Sequence, residues 1–512
     1  MSARPPNTDD DSHIETSSAV EPDDPPVGAI AVGETEALIS SEGEIRSGKL
    51  AGKSMWAAIW ILALPVLLQQ TMAACVGLAD KIMAGGLPDQ IVVAALDGLG
   101  IGAYVGWFIG IAMTGLGIGG QALIARAIGA GELRQSRRAL GQAMMLSVFW
   151  GALVGVALWL AGPPLGALCK LSPDAARFCT QYIRILAYAM PLTGIMMVGA
   201  MCLHGAGETT KPSAIAIAVN VLNILLSWAL SGADLRFGEF LFENPFGFDL
   251  HVIGIAVGTA VSYGLGAVLT LWVLLVGVKD MRLDAAELAL DPPVIKRIVR
   301  IGVPNFCEGI SMWAVNIFVL MFIGRIAATA ANGEGLQGAH IIAIQWEAFS
   351  FMPGFAIGTA AGALAGQYLG AKNPQMAQRA ILACTGLAML VMGLVGVLFI
   401  FGGAWLTRVV STQEIHLENA PTLLLICGVM QVFFAITMVL RQGLRGVGDT
   451  TWTFIITTIS SYGVRLPAAY LFGVTLGYGL KGVWIGLCGE FAVRAALFSA
   501  RFFHGGWKRI KV

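Results

Sequence analysis

Twelve stretches of this chain are each about 20 residues long or longer and almost wholly apolar, the length a helix needs to cross a bilayer. They fall at 56–84, 91–120, 139–162, 182–203, 213–231, 252–277, 298–324, 338–366, 380–406, 421–441, 452–475 and 481–502. In lipid every backbone N–H and C=O must be satisfied within the protein, so runs of this length predict spanning helices. The fold class is therefore an all-α polytopic membrane protein with 12 transmembrane helices. Composition agrees, since only 12% of the 512 residues are charged, against roughly 25% in a soluble domain.

Lys and Arg side chains orient the spans. With the N-terminus inside, 21 of them fall on inner segments and eight on outer ones. Both termini are thus expected in the cytoplasm, at a cell membrane. The formal net charge is zero, and no nucleic-acid partner is expected; the partners are membrane lipid and a small-molecule substrate, and the chain is expected to act as a monomer. The eight cysteines include no CxxC pair, so no metal or redox site is assigned.

A short string occurs twice. Residues 205–210 read GAGETT and 446–451 read GVGDTT, 241 apart. A phosphate-cradling loop needs a preceding strand and a Lys-Ser/Thr pair, and neither copy has them. Other pieces recur in the same order instead. Ile128-Gly-Ala matches Leu369-Gly-Ala, again 241 apart, and Pro65 with Gln69 matches Pro304 with Glu308 at 239. Residues 253–258 match 481–486 at 228, a shortfall of 13 that predicts one extra loop in the first half. The chain therefore reads as a duplication. An even number of spans per half gives parallel topology and a cleft between halves. The expected organisation is a disordered acidic tail over 1–54, a six-helix bundle over 55–278, a cytoplasmic connector over 279–297, a second bundle over 298–502 and a basic tail over 503–512. The first 50 residues hold 11 acids and three bases with no long apolar run, which is a tail composition and not a signal peptide.

Further motifs are Leu64-Pro-Val, Leu78-Ala-Asp-Lys-Ile-Met-Ala-Gly, Ala125-Arg-Ala-Ile-Gly-Ala-Gly, His204 through Pro212, Gly366-Gln-Tyr-Leu-Gly-Ala and Leu444-Arg-Gly-Val-Gly-Asp-Thr. In this order, over about residues 55–502, they resemble the multidrug and toxic compound extrusion (MATE) transporters. The resemblance implies two six-helix bundles around a V-shaped cavity. It also implies efflux of amphipathic, mostly cationic organic compounds against entering H⁺ or Na⁺, with no cofactor and no enzymatic activity.

Ionisable groups inside a span are costly and are functional candidates by default. Glu308 lies about 15 Å along its span, one turn after Pro304, and Glu347 about 14 Å along the next. The two are expected to converge at mid-membrane depth. Asp80 neighbours Lys81, and depth alone reads them as an interfacial pair. The resemblance places the family's helix-1 acid, linked to protonation or substrate binding, at Asp80, and matches Glu308 to an acid in helix 7. Asp80, Glu308 and Glu347 are thus the candidate ion-coupling residues. Gln69, Asn220, Asn223, Arg465, Glu490 and Arg494 are the supporting polar network, with Glu490 and Arg494 spaced for a pair on one helix face. Counting Glu308, Glu347 and Glu490 against Arg465 and Arg494 leaves one acid unmatched. One sodium-binding branch of the family carries a further acid in helix 10, where Phe434 stands here, so H⁺ is expected over Na⁺. A lipid-linked precursor flippase is the alternative, disfavoured by the acidic surplus. A membrane enzyme lacks a paired nucleophile and base, and a channel does not fit the duplication.

Overall fold

The computed structural model describes residues 49–88, 91–168, 171–237, 240–278, 281–329, 336–411 and 413–510. Most of the expected acidic tail lies outside them. The first six spans are α1 (Met55–Gly85), α2 (Val92–Ala130), α3 (Leu133–Leu168), α4 (Pro173–Gly205), α5 (Thr210–Ser231) and α6 (His251–Val276). The second six are α7 (Pro292–Thr329), α8 (Leu336–Gly370), α9 (Pro374–Val410), α10 (Glu414–Gly446), α11 (Thr450–Ser460, continuing to 475) and α12 (Gly479–His504). Eleven of these are continuous helices long and apolar enough to cross a membrane. The remaining span, α11, is broken by two π-helical turns, Ser461–Arg465 and Leu471–Thr475. Such turns insert a residue into the helical ladder and are common where side chains must be re-aimed. The extra loop of the first half is the 232–250 segment between α5 and α6. It holds a small antiparallel hairpin, β1 (Leu235–Phe237) with β2 (Phe240–Phe242); α11 and α12 are joined by a short turn instead.

Helix pairing repeats with an offset of six. In the first half α1 packs on α5, α5 on α6, α6 on α4, and α4 on both α2 and α3; in the second, α7 on α11, α11 on α12, α12 on α10, and α10 on both α8 and α9. Between halves, α2 meets α7 and α8 meets α1, while α2 and α8 meet each other near the pseudo-axis.

Glycine makes the closest of these contacts possible. A Cβ on Gly129 would overlap the Gln367 carbonyl, and one on Gly370 would overlap the Arg126 carbonyl. Those are the same contact seen from each half. Within halves, Gly205 sits against the Gln121 backbone as Gly446 sits against Gly362. With no hydrophobic drive between helices in lipid, such close backbone packing is a main source of cohesion. The tight inter-half contacts lie on the face that also carries the start of α1 and the end of α12, here called the terminal face.

The repeated string has a local reason at each position. Its first glycine gives the helix-to-helix approach just described. Its second, Gly207 and Gly448, has φ of 77° and 89°, which side chains with a Cβ avoid. The acid then ties down the turn. The Glu208 Oε1 accepts from the backbone N–H of Thr210 and Lys211, at 2.8 and 3.1 Å, and from Lys49 Nζ at 3.1 Å. Asp449 Oδ2 accepts from Arg501 Nε at 2.8 Å.

Two expected boundaries shift. α7 begins at Pro292, inside the expected connector, because Lys296, Arg297 and Arg300 interrupt its early turns and only its later turns are uninterruptedly apolar. The expected basic tail from 503 is folded: α12 runs to His504, and Trp507 is fully buried with its indole N–H on the Phe502 carbonyl at 2.8 Å. Arg126 donates to the carbonyls of Ile510 and Val447, so this strap reaches across to the first half.

Candidate functional site

Four helical turns bring the charges of the second half together. Arg441 and Arg445 sit one turn apart on α10, Thr453 and Thr457 one turn apart on α11, and both pairs face Glu308 on α7. The Glu308 carboxylate is 0% exposed. Arg445 Nη2 lies 2.8 Å from its Oε2 and Arg441 Nη1 3.7 Å from its Oε1. Thr457 Oγ1 donates at 2.8 Å and Thr453 Oγ1 at 3.2 Å. A carboxylate removed from water costs several kcal/mol unless it is paired and its lone pairs are filled. Here both oxygens are filled.

A second cluster sits beside the first. Glu490 on α12 takes Arg494 Nε at 2.6 Å and has Arg465 Nε at 3.5 Å. Ser460 and Ser461 hold Arg494 from the start of the first π turn, at 3.0 and 2.8 Å. That same turn delivers Arg465, whose guanidinium lies 5.4 Å over the Phe491 ring. Glu347 on α8 is half-buried and feels the charge of Arg465. Glu308 and Glu347 answer to different arginines, Glu308 to Arg441 and Arg445 and Glu347 to Arg465. Phe434 stacks on Phe491 at 4.4 Å and 11°, so aromatic packing fills the position where a further acid was absent.

The charge balance also changes. Arg441 and Arg445 sit at the end of an apolar run, and the sequence count put them on the inner face. They are buried instead. Glu308, Glu347 and Glu490 therefore face Arg441, Arg445, Arg465 and Arg494, a surplus of one positive charge rather than one negative.

In the first half, Asp80 on α1 is half-buried and its Oδ1 has no hydrogen-bond partner. Its charge acts on Tyr182 of α4 and Tyr263 of α6. Thr259 lies beside Tyr182. Asn223 Nδ2 donates to Thr259 Oγ1 at 3.0 Å, and Ser227 Oγ to Asn223 Oδ1 at 3.4 Å. Asn223 thus shares a network with the tyrosines that surround Asp80, whereas Asn220 is half-buried outside it. The Lys81 side chain lies outside the described residues. Gln69, also on α1, accepts from Ser213 at 3.1 Å. It is 11 residues from Asp80, about 16 Å along the helix, so it belongs to another level. Sequence reasoning missed Tyr182, Thr259 and Tyr263, which carry no charge and stand in apolar runs. It also missed Thr453 and Thr457, which carry no charge and stand in the apolar run after the repeated string.

Between the halves lies a cavity of about 300 Å³, walled by α1, α2, α4, α5 and α6 and by α8 and α10. Among the described residues no group of three or more His, Cys, Asp or Glu side chains is placed to hold a metal ion.

A sequence profile of the MatE family matches residues 65–229 and 304–471. The chain belongs to the MatE family. The two matched segments start at Pro65 and Pro304, the same pair that marks the duplication. The probable multidrug resistance protein NorM of Thermotoga maritima is 28% identical over 451 residues, 88% of this chain and 92% of that protein. The multidrug resistance protein PmpM of Pseudomonas aeruginosa is 25% identical, over 83% of this chain and 86% of its own. Among solved structures, an outward-facing multidrug resistance MATE transporter of the MOP superfamily superposes with a TM-score of 0.79 at 20% identity, covering 90% of this chain and 99% of that one. A MOP superfamily transporter from Pyrococcus furiosus gives 0.78 at 21%, covering 89% and 96%. These superpositions establish the MATE fold for this MatE chain, and the chain is an integral membrane transporter.

Proposed function

We propose that the protein is a proton-coupled antiporter that exports amphipathic, mostly cationic organic compounds, with Asp80 as the coupling acid. The observation that carries this is the Asp80 environment. Among the described residues it is the one acid of the three candidates with no guanidinium acting on it, its Oδ1 has no hydrogen bond, and its charge acts on two tyrosines. A carboxylate so placed binds a proton or an organic cation, and competition between the two at one group is the simplest antiport device. Glu308, held by two guanidiniums and two hydroxyls, serves to keep Arg441 and Arg445 buried; Glu347, beside Arg465, is the second candidate for the coupling ion. The aromatic stack at Phe434 supports H⁺ over Na⁺. Relatives named as multidrug resistance proteins support the substrate class. The Lys/Arg distribution supports a terminal face in the cytoplasm, hence an outward-facing arrangement here. The protein works as a monomer.

The flippase reading gains one observation. The acidic surplus that disfavoured it is replaced by a basic one, and Arg445 reaches the wall of the inter-half cavity. It stands second because the first-half acid, Asp80, has no role in it.

Everted membrane vesicles test the main reading. With an imposed inward-acid gradient the wild type should accumulate rhodamine 6G, and Asp80→Asn should not. A tag placed after Val512 should be cut by external protease in the same vesicles. Accumulation by Asp80→Asn at the wild-type rate would remove Asp80 from the mechanism, and a protected tag would reverse the orientation.

A further inference from the structure

We infer that the cavity between the halves is a binding site for an anionic group, a carboxylate or a phosphate, carried by an amphipathic compound. The inference rests on reading the chain as an exporter and adds a substrate class to it. Polar side chains from both halves line the cavity, among them Gln69, Gln121 and His204 from the first and Thr359, Gln442 and Arg445 from the second. No Asp or Glu is among its lining residues.

The donors can be assigned by elimination. A guanidinium only donates. Arg445 Nη1 bonds Gln442 Oε1 at 3.2 Å, so the amide oxygen of Gln442 faces the arginine and its NH₂ is left over. The oxygen of Gln69 is occupied by Ser213 Oγ at 3.1 Å, leaving its NH₂ as well. Arg445 spends Nη2 on Glu308, yet its Nε is buried without a partner. His204 is 5% exposed and both of its ring nitrogens lack partners. Buried polar groups left unpaired cost free energy; all four side chains line the same cavity, where a multi-oxygen anion would supply acceptors for their N–H groups. Methionines and Phe355 complete the walls, a surface suited to varied apolar bodies.

Pseudo-symmetry explains why the site is single. His204 occupies the position of Arg445, and Gln69 that of Glu308. The second half fills its copy with an internal ion pair. The first half keeps neutral hydrogen-bonding groups there, so the cavity retains donors with Arg445 as its charge centre. A permanent cation without an acid on the wall is disfavoured here, and Asp80 lies about 16 Å further along α1. The two charge preferences are therefore separated within one path.

The test uses the full-length protein in phosphatidylcholine nanodiscs and two dyes with one ring system: fluorescein, a carboxylate, and rhodamine 6G, a cation. Fluorescence anisotropy should show saturable fluorescein binding. His204→Phe and Gln442→Leu should each weaken it, and the charge-neutral double variant Glu308→Gln/Arg445→Gln should weaken it about tenfold or more, with rhodamine 6G binding unchanged. The double variant removes both members of the ion pair, and the two single variants leave the pair intact, so a fold defect in one does not mask the others. Repeating the titration with phosphatidylglycerol in the disc identifies the source. Competition assigns the site to an anionic lipid headgroup and its absence to a free solute; both support the anion site. Fluorescein that does not bind the wild type, or binds all three variants equally, overturns the inference. If rhodamine 6G is still exported, only the anion site falls; if no export occurs with the wild type, the exporter reading falls separately.

Discussion

At the scale of single residues, the second-half cluster sets stability more than chemistry. Removing one member of a buried pair leaves the other uncompensated, typically at a cost of about 3–5 kcal/mol. Arg445→Gln leaves Glu308 with a weaker partner at 3.7 Å, and Glu308→Gln leaves two guanidiniums facing each other. Both single variants should unfold in detergent well below the wild type, whereas the double variant should recover part of the loss, a coupling of about 1–3 kcal/mol. A thermal melt of all four proteins checks this; a double variant less stable than either single one would show that the pair is not the unit. The same cluster shows where sequence reading stops. Glu308 was legible because a charge in an apolar run stands out, whereas Asp80, beside Lys81, was legible only through the family resemblance. Arg441 and Arg445 were not, because a charge at the end of such a run is indistinguishable from an interfacial one until tertiary packing buries it. The uncharged partners of Asp80 gave no signal at all.

At the scale of elements, glycine pairs hold the terminal face shut. Gly129 and Gly370 admit backbone carbonyls that cannot retreat as a side chain can. Gly370→Val should therefore push the ends of α2 and α8 apart and reduce export. Spin labels at Arg134 and Lys372 would report a longer, broader distance distribution. Gly386→Val is the control, since open space surrounds that position. An unchanged distribution in Gly370→Val would mean that this contact does not govern closure. The twelve spans were legible because twenty apolar residues have few alternatives. The early, basic turns of α7 were not, since apolarity alone defined its start. Nor were the π turns of α11, because that run reads as continuously apolar. They matter to the site: the first turn carries Ser461 and Arg465.

At the scale of the whole molecule, duplication supplies two copies of one bundle, and divergence gives them different tasks. The second half pairs Glu308 and Glu490 with four arginines and keeps a positive surplus. The first keeps Asp80 unpaired among tyrosines. Sequence spacing disclosed the duplication, and helix pairing shows it again with the same offset of six. Which acids are left without a guanidinium was not legible, because that depends on packing in three dimensions. The central claim is that Asp80 exchanges a proton for the exported compound. Proteoliposomes loaded with a pH-sensitive dye and held at zero potential test it most directly: an imposed rhodamine 6G gradient alone should drive counterflow of protons in the wild type. Asp80→Asn should abolish that flow, and Na⁺ should make no difference. Proton movement that persists in Asp80→Asn, or rhodamine 6G flux that requires Na⁺ and moves no protons, would contradict the account.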